Sequence, residues 1–168
     1  SYQDIVLSST AGKRFKLTDV SGPASPFTVT SPITVTGNYK IQYQVTFDQT
    51  GLDPSATGTV VTVNGTPLDY GSLPFSQWLD EGTTVTYSYE SIVSSTTQGK
   101  RFSLSDITGP ASPFTVDGPK TIIGNYLTQY YLTVTSPFGT PSGEGWYDAG
   151  ATAYAGLDTG LIDYGNGT

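Results

Sequence analysis

A lysine, an aspartate and an asparagine recur together in this chain. They stand as Lys13, Asp19 and Asn38, and again as Lys100, Asp106 and Asn125. A buried neutral amine and a carboxamide can condense to an amide cross-link with loss of ammonia, given a protonated acid in a dry core. Such a link would rigidify a domain that has no disulfide, and the chain has no cysteine. The competing reading is a solvated Lys-Arg pair, a surface acid and a turn asparagine, because lysine is rarely buried unless paired.

Other residue types suggest weaker chemistry. Asn64-Gly65-Thr66 and Asn166-Gly167-Thr168 are N-glycosylation sequons. Asn64-Gly65 is also the strongest hairpin signal in the chain, so Asn64 reads equally as a turn residue. Asp80, Glu81, Asp148, Asp158 and Asp163 could offer oxygens to calcium, but no EF-hand or nonapeptide pattern joins them, and solvated turn acids are the plainer account. Trp78 and Trp146 could stack on sugars. The tyrosines fall mostly at alternating strand positions, which favours packing. Glu81, Glu90 and Glu144 are the only glutamates, with no paired motif for glycoside hydrolysis. The absence of histidine removes the commonest general base and zinc ligand. No catalytic residue, cofactor or metal is expected.

The elements that must carry these residues come from a repeat. Residues 1–47 and 88–134 are identical at 28 of 47 positions, with an offset of 87 and no gap. The common core runs from Gly12-Lys13-Arg14-Phe15 through Gly22-Pro23-Ala24-Ser25-Pro26-Phe27-Thr28-Val29 to Gly37-Asn38-Tyr39. Charged residues are 12% of the chain, while Thr, Ser, Gly, Tyr and Val dominate, which suits pleated surfaces and tight turns. Net charge is −7, so a nucleic-acid footprint is excluded. No apolar run is long enough to span a membrane. A signal peptide, if the chain is secreted, has already been removed.

The alternation Tyr39, Ile41, Tyr43, Val45, Phe47 predicts a central strand, answered by Tyr126–Val134 in copy two. Short strands are expected at Phe27–Val29 and Ile33–Val35, and a long one over Thr83–Val93. No segment has a helical period. The fold expected is all-β, two tandem immunoglobulin-like β-sandwich domains. Repeat one covers 1–87, with an extra hairpin at about 58–76, and repeat two covers 88–168.

The copies differ at their ends. Copy one is followed by Ser88-Tyr89-Glu90-Ser91-Ile92-Val93, and copy two has no good match at that point. Yet the chain opens with such a strand: Ser1, Tyr2, Gln3, Asp4, Ile5, Val6, Leu7 and Ser8. The expectation is that this strand is donated to the C-terminal domain of a neighbouring subunit. A contact of that kind does not close on itself, so the partner is the same chain and the product a filament. Ordinary pairing of these residues within their own domain is the competing reading.

Val60–Thr66, Leu73-Pro74-Phe75 and Trp78–Tyr87 resemble repeat modules of secreted surface proteins of thermophilic archaea. Tyr130–Val134 with Gly143–Thr152 resembles their partner module. The resemblance covers about half the chain. It implies a β-sandwich, a cell-surface or extracellular location and covalent glycans, and it supplies no catalytic residues. The function expected is a structural filament subunit. The alternative is a carbohydrate-binding or adhesion module of a secreted or surface-layer protein.

Overall fold

The computed structural model describes residues 1–157. Asn166, Asp158 and Asp163 lie outside the described residues. The chain is all-β. Its first repeat contributes β1 (Ile5–Leu7), β2 (Lys13–Ser21), β3 (Thr36–Thr50), β4 (Ala56–Thr57), β5 (Thr59–Val63), β6 (Thr66–Asp69), β7 (Phe75–Asp80) and β8 (Thr84–Val85). Next come β9 (Tyr87–Tyr89), β10 (Ile92–Ser95), β11 (Lys100–Thr108), β12 (Phe114–Thr115), β13 (Lys120–Leu132), β14 (Pro141–Ser142), β15 (Gly145–Asp148) and β16 (Gly156–Leu157).

A nine-stranded sheet runs in the order β1-β2-β3-β13-β11-β10-β4, with β7 on β3 and β15 on β13. The repeat is visible in it: β1-β2-β3 answers β10-β11-β13. Both copies carry the same bulge, between Leu17 and Asp19 and between Leu104 and Asp106. The two halves join where Val45–Thr50 of β3 pairs in parallel with Lys120–Asn125 of β13. Every other pairing among the described strands is antiparallel.

A second sheet, β6-β5-β9, is built on the hairpin at Asn64-Gly65. Both turn residues have positive φ, 48° and 82°, which an Asn-Gly pair tolerates best. β14–β16 is its reduced counterpart in copy two: Gly156–Leu157 follows Trp146 at the spacing by which Ser88–Tyr89 follows Trp78.

The buried side chains form one cluster drawn from both repeats, from Tyr43 to Tyr126. It holds Val45 and Phe47 of β3, Val60, Val61 and Val63 of β5, and Val93, Phe102 and Ile122 of copy two. The alternation on β3 therefore does what its sequence predicts. The copy-one counterparts of the buried copy-two residues lie outside this cluster. Val29 is 70% exposed where its counterpart Val116 is 0%, and Tyr2 is 42% exposed where Tyr89 is 6%.

Two expectations need correction. Phe27–Val29 and Ile33–Val35 are not strands. The counterpart of the first, Phe114–Thr115, is a strand because Thr84–Val85 of copy one pairs with it; copy one has no such partner among the described residues. The long strand expected over Thr83–Val93 is broken into β8, β9 and β10, since those pieces join three different sheets.

Phe102→Ala is expected to cost about 3–5 kcal/mol, the range for a fully buried phenylalanine. Phe15→Ala at the equivalent, half-buried position should cost less than half as much. Urea denaturation of the two variants measures both; equal losses would contradict the asymmetry.

Candidate functional site

The structure does not assemble the amide cross-link. Lys13 pairs in register with Tyr43, and Asp19 with Asn38, at opposite ends of β2. Six residues of strand separate the amine from the carboxamide by roughly 20 Å. Lys100 and Asn125 are divided in the same way. Asp19 and Asn38 instead serve the bulge: Asn38 Nδ2 donates to Asp19 Oδ2 at 3.1 Å, and Thr18 Oγ1 donates to the Asn38 carbonyl at 2.9 Å. In copy two Ser105 Oγ donates to the Asn125 carbonyl, also at 2.9 Å, and Asn125 Nδ2 donates to Thr108 Oγ1. Asp106 is exposed and accepts from Ser105 Oγ.

Asn64 is exposed at its hairpin tip. Its Oδ1 accepts from Thr86 N at 2.9 Å, and its own N–H donates to the Thr86 carbonyl. The side chain thus braces the hairpin against the segment leading into β9. Among the described residues its Nδ2 has no hydrogen-bond partner, so the sequon nitrogen is accessible.

The opening strand stays with its own chain. Ile5, Val6 and Leu7 pair with Lys16, Phe15 and Arg14. Leu17 N donates to the Asp4 carbonyl, Tyr39 Oη donates to the Gln3 carbonyl and Tyr2 Oη donates to the Val35 carbonyl. Ser1 and Ser8 flank this segment, and Ser8 Oγ accepts from Thr10 N.

Sequence reasoning missed two constellations. The first is a row across three strands, Arg14–Gln42–Asp80. Arg14 Nε donates to Gln42 Oε1 and Gln42 Nε2 to Asp80 Oδ1, both at 2.8 Å, while the guanidinium lies 4.5 Å from the Trp78 ring centre. Arg101, Gln129, Asp148 and Trp146 repeat it, with the same 2.8 Å bonds and a 4.3 Å stack. The Gln42 hydrogen bond, ahead of Lys40, holds the Asp80 carboxyl below its ordinary range. Arg and Gln recur 28 residues apart and Trp and Asp two apart in both copies, and those two recurrences were the available signal. The tryptophans are therefore half-covered by arginine rather than presented as an open platform.

The second is the junction between the copies. Tyr89 Oη donates to the Asp48 carbonyl at 2.7 Å and lies 3.1 Å from the Ile122 carbonyl, so it bridges the two parallel strands. Tyr126 Oη bonds the Glu90 carbonyl at 2.8 Å and lies 3.3 Å from the Val60 carbonyl. Burial pushes both phenols well above the ordinary tyrosine value. Gly124 is required here, since a Cβ would sit 2.5 Å from the Tyr89 ring. Lys100 Nζ makes an ion pair with Asp53 of copy one and donates to Ser55 Oγ at 3.2 Å. Hydrogen bonds from Lys100 and Ser55 lower the Asp53 carboxyl to about 2.

Copy one carries the same donors with half their acceptors. Tyr2 keeps its bond to Val35, and Tyr39 its bond to Gln3, but the cross-copy carbonyls are missing. Lys13 lies 5.4 Å from the Phe15 ring centre, as Lys100 lies 4.9 Å from Phe102, with no carboxylate partner among the described residues.

No three His, Cys, Asp or Glu side chains converge among the described residues. No described helix is long and apolar enough to cross a membrane. No protein-family model, curated protein or solved structure matches the chain.

Asp53 has a depressed carboxyl, so its contribution is complete above the ordinary value of 3.8 and is lost as the pH falls toward about 2. Asp53→Asn should therefore melt below the parent at pH 5, and the gap between the two should narrow as the pH falls from about 4 through about 2. Thermal melts across that window measure it; a constant gap would contradict the ion pair's role.

Proposed function

We propose that the chain is a structural unit of an extracellular filament, assembled head to tail from copies of itself. The observation that carries this reading is the junction within the chain. There one repeat buries the other through a parallel strand pair, bridging tyrosines and a lysine–aspartate pair, and the matching surface of copy one is left uncovered. A heterologous contact of this type propagates rather than closing.

The finer architecture in this reading is two immunoglobulin-like sandwich modules in tandem, each completed by strands of its neighbour. β1 keeps its place on β2. What is presented to the next subunit is the exposed apolar set that copy one holds around β1 and β2, including Tyr2, Val6 and Phe27. A glycan on Asn64 and a location at the cell surface belong to the same reading, as does kinship with the surface modules of thermophilic archaea. The low charge, the absence of histidine and the lack of a paired acid motif favour a scaffold over an enzyme.

The full chain should form elongated particles whose length rises with concentration, by light scattering and negative-stain microscopy. Val29→Lys, at a side chain exposed in the single chain, should suppress them without lowering the melting temperature. A monodisperse monomer at every concentration, retained on polysaccharide resin, would overturn the reading in favour of a carbohydrate-binding module.

A further inference from the structure

The internal junction specifies its own continuation. The register pairs Lys120–Asn125 with Val45–Thr50. Moving both partners by the repeat offset of 87 residues names two other segments, Ile33–Asn38 of copy one and Leu132–Pro137 of copy two. Among the described residues both are open on the required side. β3 begins at Thr36, and its first residues pair only with β2 on the other edge. β13 ends at Leu132, and its pairing with β11 stops at Tyr130. Beyond it, residues 133–136 join no strand pair among the described residues. Gly139 turns the chain at positive φ, as Gly51 does after β3, one residue later in the repeat.

A socket and its plug also recur. At the internal junction Gly12 lies against Pro119, so closely that a Cβ on Gly12 would sit 2.8 Å from the proline. The counterpart of Gly12 is Gly99, and nothing lies within 4 Å of a Cβ placed there. Gly99 lines a shallow pocket with Gln98, Tyr131, Thr133 and Trp146. Gly12, Gln44, Thr46 and Trp78 are the equivalent residues in copy one. The counterpart of Pro119 is Pro32, which is exposed. Both halves of the contact are therefore retained where the chain itself does not bring them together.

A third element agrees. Phe114 and Thr115 pair with Val85 and Thr84, flanked by bonds between Gly82 N and Val116 O and between Val116 N and Thr83 O. The counterparts are Phe27–Val29 on one side and Gly150–Ala153 on the other. Gly82 and Gly150 share a φ of 84°, and residues 151–155 join no strand pair among the described residues.

We propose that a second copy of this chain docks its Ile33–Asn38 segment in parallel on Leu132–Pro137, in the register Ile33 to Leu132 through Asn38 to Pro137, with its Pro32 seated against Gly99. This rests on the head-to-tail reading and gives it an address. Copy two lacks the β5–β6 hairpin and has Thr140 where the repeat offset places Asp53. The contact between chains is therefore smaller than the internal one, and assembly depends on concentration. Pro137 falls at the last position of the register, where a missing donor is tolerated at a strand edge.

The absence of native cysteine makes the test clean. Thr46→Cys with Thr121→Cys, in register at the internal junction, should close an intrachain disulfide, since adjacent strands lie within bridging distance. A chain carrying Thr34→Cys mixed with one carrying Thr133→Cys should give a disulfide-linked heterodimer under mild oxidation. Thr28→Cys mixed with Thr152→Cys should do the same. Thr34→Cys with Thr135→Cys, two residues out of register, should give several-fold less. Equal yields in and out of register would overturn the proposal, as would no heterodimer in either mixture while the internal disulfide forms. Light scattering on the same samples separates the two readings. Assembly without these cross-links removes this address and leaves the filament reading, whereas no assembly and no cross-link removes both.

Discussion

The pairing of β3 with β13 is the constraint on which the rest of the structure depends. It is the longest backbone ladder between the two repeats and the parallel one, and it asks each long strand to serve two neighbours along its length. β3 gives its first half to β2 and its second half to β13 on the same edge, while β7 takes the other edge. A strand of fifteen residues is needed for that division. The alternation of Tyr43, Val45 and Phe47 fixes which face looks inward, because a slip of one residue would turn the apolar set to solvent. Once the register is set, Tyr89 stands where its hydroxyl reaches a carbonyl on each strand, and Gly124 leaves room for its ring.

Identical residues consequently meet different surroundings in the two copies. Val116, Val93 and Phe102 are buried in one cluster with Val60, Val61, Val63 and Val85 of copy one. Val29, Val6 and Phe15 are the same residues at the repeat offset, and they lie outside the cluster. The Arg–Gln–Asp rows differ from this pattern. They lie on strands that each copy supplies for itself, so both are complete, with matching hydrogen-bond and stacking distances. What is local to a repeat is reproduced, and what is shared between repeats is satisfied once.

Much of the fold was legible in the sequence for physical reasons. The strict alternation on β3, the Asn64-Gly65 turn and the offset of 87 residues are local signals, and local geometry followed them. The parallel junction was not legible, since nothing in a strand's own pattern names a partner some 75 residues away. Phe27–Val29 shows the same limit: it has a strand's composition, but a strand exists only where another edge meets it. Lys13, Asp19 and Asn38 looked like a reacting set because they recur together. Spacing along β2 puts the amine at one end and the amide at the other, and recurrence reported a conserved bulge instead. The arginine stacks on Trp78 and Trp146 were readable from recurring residue types, had these been traced across strands rather than along one.

The direction of β3 and β13 has a mechanical consequence. They run the same way, so tension along the chain draws β3 by its leading end and β13 by its trailing end. The two strands are then loaded in shear, and the strain is spread over all six registered positions together rather than peeling one bond after another. A ladder loaded in this way gives little until the whole set fails, with Tyr89 and Lys100 acting as cross-braces at its flanks.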